Sequence, residues 1–354
     1  MAPALRLAVM VAAVMLAALA GAARVAPAQA GKAAARGTVH EGTFWSQVLG
    51  TRKRYVVYLP PSYGTDSARR YPVAYYLHGL WGDETNWVRL GHLDAAMDSL
   101  AAGCAAGRPC GREMIVVMPD GDDGWYTTWN FLGDWAGCRR TTPRGGESVD
   151  AYCVPWPKYD DYIARDLVAH IDSTYRTIPA RERRGIAGLS MGGYGAVTLA
   201  LRYPDVFSAA ASHSGVLSPL YAGPSPFAPP PTYARRFGGA AVDTLRARAG
   251  SLWPTMKLAF GRDTIGWVAR DPARLARRAA AARRPLPFLM LDVGRGDRLT
   301  IEQNRAFRHE LRALGIPHRY AEWDGAHDWT YWRTHVGESL AWLAERLGDG
   351  MGGP

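Results

Sequence analysis

Lysine is nearly missing from this chain: four of its 42 basic residues are lysine and the rest arginine. Cysteine is equally sparse, with four in 354 residues, at positions 104, 110, 138 and 153. Their spacing matches no metal-site pattern, so a zinc centre is not expected, and the reading of the site calls for no metal and no cofactor. Acids are outnumbered, 32 against 42, for a net charge of +10. The arginines are nonetheless scattered and often sit beside acids, as in Arg181-Glu182-Arg183-Arg184, with no recognition motif. That pattern argues for a basic surface and against a nucleic-acid partner. There is no internal repeat. The apolar run at 7–20 is too short and too rich in alanine for a membrane span.

That run instead has the layout of an export signal. Arg6 precedes it, Ala28-Gln29-Ala30 supplies an A-x-A cleavage site, no twin arginine stands before it, and no cysteine waits at the cleavage point to take a lipid. The expectation is a Sec-type signal over 1–30, a secreted or periplasmic protein and no stable membrane insertion after cleavage, with an uncleaved anchor as the alternative. Cleavage removes Arg6 and Arg24 and no acid, so the remaining chain stays basic. Export makes disulfides available, and pairing Cys104 with Cys110 and Cys138 with Cys153 is the simplest of three arrangements.

With 354 residues, 48% of them hydrophobic, and 13 tryptophans, the chain can bury a large core, as one α/β domain with insertions or as two smaller domains. A linker at 31–37 leads to strand patterns at 39–48, 54–59, 71–78, 114–118, 186–189, 207–212, 286–293 and 318–323. Helix patterns fall at 94–100, 159–175, 196–203, 271–283, 300–314 and 329–347. Ile163, Leu167, His170, Ile171 and Thr174 form one stripe of the second helix. Strands and helices in alternation predict a mostly parallel, doubly wound sheet with helices on both faces. The main domain is expected over 38–347, with an irregular loop at 122–157, a proline-rich insertion at 216–284 lying over the C-terminal edge of the sheet, and a frayed tail at 348–354.

The chain is organised around Gly188-Leu189-Ser190-Met191-Gly192, a G-x-S-x-G between an apolar strand and a helix. Glycines two residues either side let the turn close tightly, which exposes the serine hydroxyl as a nucleophile at the helix N-terminus. The Met191 amide then points to where an oxyanion would form. Such a serine needs a base, and a carboxylate to orient that base, in the chain order Ser, acid, His. His327 fits the base, in the loop Asp324-Gly325-Ala326-His327-Asp328 before the last helix. Asp297 fits the acid, in Gly294-Arg295-Gly296-Asp297 just past a strand, ahead of Asp292 inside that strand and Asp324 close to the histidine. His78-Gly79-Leu80 ends an early strand, which makes the Leu80 amide the second oxyanion donor. Trp81, Trp125 and Tyr126 are candidate substrate-pocket residues, and His213, closing the strand after the nucleophile helix, could line the site.

These four motifs, in this order, resemble the esterase D family of α/β-hydrolases. That family includes S-formylglutathione hydrolases, feruloyl and acetyl-xylan-type esterases, short-chain esterases and the antigen 85 mycolyltransferases. The likeness spans roughly 39–347 and is weakest at 122–157 and 216–284. It implies an α/β-hydrolase fold and a triad of Ser190, Asp297 and His327, with the Leu80 and Met191 amides as oxyanion hole. Gly325-Ala326-His327-Asp328-Trp329 with Trp332-Arg333 is closer to the feruloyl and short-chain branch. Aspartate rather than glutamate as the acid leans away from the mycolyltransferases. The resemblance therefore implies a serine esterase acting on small or polysaccharide-linked esters of short-chain or aryl acids. Acyl transfer to a sugar or lipid alcohol is the first alternative, and a non-catalytic binding protein on a hydrolase scaffold the second.

Overall fold

The computed structural model describes residues 35–103, 112–128, 135–140, 142–143, 148–154, 156–234, 245–247, 249–261 and 264–348. The expected signal at 1–30, most of the 31–37 linker, Cys104 and Cys110, and all but the first residue of the 348–354 tail lie outside the described residues.

Eight strands form one sheet: β1 (Thr38–Ser46), β2 (Thr51–Leu59), β3 (Val73–Leu77), β4 (Ile115–Pro119), β5 (Arg184–Leu189), β6 (Ala209–His213), β7 (Phe288–Gly294) and β8 (His318–Trp323). Their spatial order is β1-β2-β4-β3-β5-β6-β7-β8. The β1–β2 and β2–β4 pairs are antiparallel, and every pair from β4 to β8 is parallel.

The helices that position the site are α1 (Leu93–Ala102), α2 (159–174), α3 (Met191–Arg202), α4 (Trp253–Phe260), α5 (Thr264–Arg270), α6 (Pro272–Ala281), α7 (Ile301–Ala313) and α8 (Trp329–Leu347). Period-two alternation along the strands sorts the core into two layers. Tyr75, Leu77, Ile115, Val117 and Ile186 meet Leu167 and Ile171 of α2, Leu199 of α3, Ala276 of α6 and Phe307 of α7. Ala74, Tyr76, Val116, Met118, Ala187 and Leu189 meet Leu93 and Met97 of α1 and Leu340 and Leu343 of α8. Parallel strands with helices on both faces bring the loops after β3, β4, β5, β7 and β8 to one edge, where doubly wound sheets bind their ligands.

Three local differences from the sequence pattern have physical causes. Helix α2 is not uniform: Tyr162–Leu167 runs as a wider π-type turn between α-helical segments at Tyr159–Asp161 and Val168–Thr174. The wider turn changes the phase of the stripe. Ile163, Leu167 and Ile171 stay buried, while Thr174 ends up exposed. Second, the last helix of the 216–284 insertion is part of the helical layer and not a cover. Ala273, Ala276 and Ala279 of α6 are buried against α3 and α7, and their small side chains allow close approach. Third, the loop at 122–157 is not wholly irregular, since short helices form at Trp135–Cys138 and Val149–Tyr152. The expected Cys138–Cys153 bridge is formed there, with a Cα–Cα distance of 5.8 Å. Closing its 15-residue separation restrains the unfolded chain by about 3 kcal/mol.

Two stability predictions follow from these contacts. A Cβ on Gly192 would meet the Leu77 carbonyl oxygen and lie 2.6 Å from the His78 carbonyl oxygen, backbone atoms that cannot swing away. Gly192→Ala is therefore expected to lower unfolding free energy by roughly 1–3 kcal/mol in urea titrations. Gly337→Ala in α8, where a Cβ meets nothing within 4 Å, should raise it by about 0.5–1 kcal/mol. The second concerns Asp271, which caps α6 by accepting the Arg274 N–H at 3.1 Å. Burial pushes its carboxyl up to about 7, against the smaller opposing effect of that amide and of the Arg274 charge. A raised acid binds its proton more tightly folded than unfolded, so its contribution to stability is full below about pH 4 and is lost as pH rises toward 7. Asp271→Asn keeps the capping acceptor, and its unfolding free energy should lack that decline between pH 4 and 7.

Candidate active site

Ser190 sits between β5 and α3 with φ 52° and ψ −114°, a conformation foreign to a side-chain-bearing residue unless its surroundings impose it. They do so here by contact. Gly188 and Gly192 lie back to back across the turn, so that a Cβ on Gly188 would be 2.5 Å from the Gly192 carbonyl carbon. The Ser190 N–H donates to the His213 carbonyl at 3.0 Å, and the Ser190 carbonyl accepts from Tyr194 at 3.0 Å. The turn thus holds the Ser190 hydroxyl clear of the sheet, at the N-terminus of α3.

His327 and Asp297 reach this serine from two loops that are clasped to each other. A Cβ at Gly294 or Gly296 would meet the Gly325 carbonyl oxygen at 2.5 or 2.9 Å, so only glycine lets the two loops close. Gly296 N–H donates to that same carbonyl at 2.8 Å, and Arg295 N–H to the Trp323 carbonyl at 2.7 Å. In consequence His327 Nδ1 lies 2.8 Å from Asp297 Oδ2, and His327 Nε2 lies 2.9 Å from Ser190 Oγ. Asp297 is fully buried and accepts from the Thr300 hydroxyl at 2.7 Å, the Thr300 N–H at 2.9 Å and the Leu299 N–H at 3.0 Å. Burial alone would favour its neutral form, but the hydrogen bond and charge of His327, with the Thr300 donors, outweigh it and hold the carboxyl below its ordinary range. The His327 ring stands edge-on to Trp332 at 5.0 Å, which fixes its plane.

The other two acids weighed for this role are elsewhere. Asp324 is exposed and pairs with Arg295 at 2.7 Å. Asp292 is buried inside the sheet, where its Oδ1 accepts from the Tyr331 hydroxyl at 2.9 Å and its Oδ2 is 2.8 Å from His213 Nδ1. That last pair is in close contact but makes no hydrogen bond.

Leu80 lines the same cleft as Ser190, and Met191 follows the serine in the chain. Met191 is the first residue of α3, so no helical carbonyl can accept its N–H. Neither its amide nor that of Leu80 donates to a carbonyl among the described residues. The turn carrying Leu80 is held by the loop after β4. Gly121 N–H donates to His78 Nε2 at 2.9 Å, and His78 Nδ1 donates to the Gly79 carbonyl at 2.8 Å, a pattern that requires the neutral ring. Beneath it, the buried Lys53 ammonium bridges Asp120 at 3.1 Å and Asp122 at 2.7 Å.

Of the expected pocket residues, Trp81 lines the cleft and the other three do not. The cleft, about 560 Å³, is walled by Leu80, Trp81, Ser190, Leu252, His327 and Trp332 among others. Trp125 is buried instead, edge-on to Tyr194 at 5.7 Å and to Phe260 at 5.2 Å, where it fastens α4 of the insertion to α3. Tyr126 is buried under Gly195, its hydroxyl donating to the His78 carbonyl at 3.2 Å. His213 is fully buried too, with Nε2 2.7 Å from the Ser339 hydroxyl. Large apolar area drew the two aromatics inward, and a carboxylate partner drew the histidine. Sequence reasoning missed Thr300, Trp332 and the clamp formed by His78, as well as Ser251 and Leu252 of the insertion as cleft wall.

An eight-stranded, mostly parallel sheet in this order, with a serine on the sharp turn after β5, makes the chain an α/β-hydrolase. Residues 46–343 match the profile of the family described as "Putative esterase", and the chain belongs to that esterase family. Esterase Rv1288 of Mycobacterium tuberculosis is 34% identical over 179 residues, 49% of this chain and 32% of that protein. An endo-1,4-beta-xylanase/feruloyl esterase of Xylanibacter ruminicola is 29% identical over 174 residues, 48% of this chain and 20% of the other. This chain therefore spans a third or less of the length of these curated relatives. Among solved structures, a ferulic acid esterase superposes with a TM-score of 0.61 at 27% identity, covering 88% of this chain and 99% of that one.

Asp297 and Asp324 can be told apart by activity. Asp297→Asn is expected to lower kcat by about 10³–10⁴, because the imidazole loses its orienting acceptor. Asp324→Asn should change kcat by less than roughly twofold, as expected for one half of an exposed ion pair. Steady-state turnover of an activated ester by the two variants measures the difference.

Proposed function

We propose that this chain is an exported serine esterase that hydrolyses short-chain or aryl esters of the feruloyl type through an acyl-enzyme on Ser190. The observation that carries the reading is the unbroken run of two short contacts from Asp297 through His327 to the Ser190 hydroxyl, at the mouth of an apolar cleft. His327 Nε2 takes the hydroxyl proton as Ser190 Oγ attacks the ester carbonyl carbon. The negative charge that forms on the carbonyl oxygen is met by the Leu80 and Met191 N–H groups at the positive end of α3. Collapse breaks the bond to the alcohol oxygen, which leaves with the proton held on His327. Water then enters and gives a proton to the same nitrogen as its oxygen bonds the acyl carbon. The bond from that carbon to Ser190 Oγ breaks, Oγ takes the proton back from His327, and the acid is released. Asp297, kept ionised by its donors, holds Nδ1 protonated and stabilises the imidazolium in both halves of the cycle.

The substrate class rests on the cleft. Trp81, Trp329 and Trp332, with Leu80, Leu252 and Leu299, offer flat and aliphatic surface to a compact acyl group. A volume of about 560 Å³ suits an aryl or short-chain ester. The ferulic acid esterase neighbour points the same way. Export is consistent with the Cys138–Cys153 bridge, and no helix among the described residues is long and apolar enough to cross a membrane.

The test is hydrolysis of acetyl, butyryl, long-chain and feruloyl esters by the exported protein and by Ser190→Ala. Short-chain or feruloyl turnover should fall by roughly 10⁶ in the variant, down to the residual rate that binding alone supplies. Turnover that survives Ser190→Ala refutes the nucleophile. Acyl groups recovered on an added sugar or lipid alcohol instead of as free acid would assign the chain to transfer.

A further inference from the structure

Trp81, next to Leu80, has φ 64°, a left-handed conformation that a bulky residue holds only when its neighbours force it. Trp81 is 43% exposed, so the surroundings that hold this backbone include its hydrogen bonds. Two hydrogen bonds hold it: the Gly82 N–H donates to the Gly79 carbonyl at 3.1 Å, closing a tight turn over Leu80 and Trp81, and the Trp81 N–H makes a charge-assisted bond to Asp123 Oδ1 at 2.7 Å. Asp123 is itself held from the other side. Its Oδ2 accepts from the Tyr152 hydroxyl at 2.9 Å, and Tyr152 closes the short helix Val149–Tyr152. The next residue is Cys153, bridged to Cys138. A continuous line of contacts therefore runs from the disulfide, through Tyr152 and Asp123, to the backbone beside Leu80.

We propose that Asp123 is a positioning residue for the oxyanion side of the site, and that the Cys138–Cys153 bridge acts on the reaction through it. By fixing the Trp81 N–H, Asp123 fixes the plane of the Leu80–Trp81 peptide and limits the rotation open to the Leu80 amide beside it. The bridge, by restraining Tyr152, limits how far the Asp123 carboxylate can drift. The other ties on this turn hold its two ends: Gly121 N–H to His78 Nε2, Tyr126 hydroxyl to the His78 carbonyl, and His78 Nδ1 and Gly82 N–H to the Gly79 carbonyl, while Asp123 holds the Leu80–Trp81 peptide between them. This inference rests on the reading of Ser190 as nucleophile and of the Leu80 N–H as an oxyanion donor.

The experiment measures kcat per active site, titrated with a fluorophosphonate, and KM for one activated ester. It adds the affinity for a boronic acid, whose serine adduct places an anionic oxygen in the oxyanion hole. Asp123→Ala is expected to lower kcat per titrated site about ten- to hundredfold and to weaken boronate binding in parallel, with KM nearly unchanged. Asp123→Asn, which still offers an acceptor to Trp81, should recover most of that loss. A Cys138→Ser/Cys153→Ser variant should lose part of kcat, and adding Asp123→Ala to it should cost no more than Asp123→Ala alone. An unchanged kcat per titrated site and boronate affinity in Asp123→Ala overturns the proposal, as does an Asn variant as damaged as the Ala one. Independent, multiplying losses from the cysteine and Asp123 changes overturn the role of the disulfide. Ser190→Ala separates the two levels: an inactive Ser190→Ala beside a fully active Asp123→Ala sinks this inference alone, whereas an active Ser190→Ala sinks the reading beneath it.

Discussion

The close approach of Gly192 to the carbonyl oxygens of Leu77 and His78 is the contact on which the rest depends. It allows α3 to start directly against the end of β3, and so brings two strands' ends and one helix end within a few ångströms. From that single approach follow the strained backbone at Ser190, the placing of the Met191 amide and the nearness of the Leu80 turn. The energy stored in the turn is offset by burial around it, since every residue of β5 and all of α3 up to Leu201 are buried.

The histidine and the acid are brought to this turn by a second close contact, between the loops that follow β7 and β8. Gly294, Gly296 and Gly325 let the two backbones touch, so the His327 and Asp297 side chains extend from a paired base and not from independent loops. Short, buried and multiply donated hydrogen bonds at Asp297 then leave the imidazole few orientations. Rigidity of this kind is what allows a weak hydroxyl to be deprotonated at a fixed distance.

Much of this could be read from the residues. Alternating apolar strands and periodic helices gave the doubly wound sheet, with strand ends off by a few residues, and the order of the Ser, Asp and His motifs picked out the three side chains that the structure brings together. What the sequence hid was the direction in which loop and strand-end residues point. Trp125 and Tyr126 both have positive φ, 53° and 48°, though neither is a glycine, and their rings are buried. His213 carried a readable signal that was missed. It lies directly opposite Asp292 in the β6–β7 register, each a polar residue near the end of an apolar strand, and such cross-strand neighbours come into contact. The phase change in α2 had no signal, because a wider turn leaves composition untouched.

The aromatic box of Trp125, Tyr194 and Phe260 has one further consequence. It is where the stretch bearing α4 leans on the helix that begins after Ser190, and the same stretch supplies Ser251 and Leu252 to the cleft. The groups that would react and part of the wall that would choose what reaches them are thus carried by separate lengths of chain, joined there and where α6 packs on α3. A scaffold divided in this way can exchange its gatekeeping surface and leave its chemistry where it was.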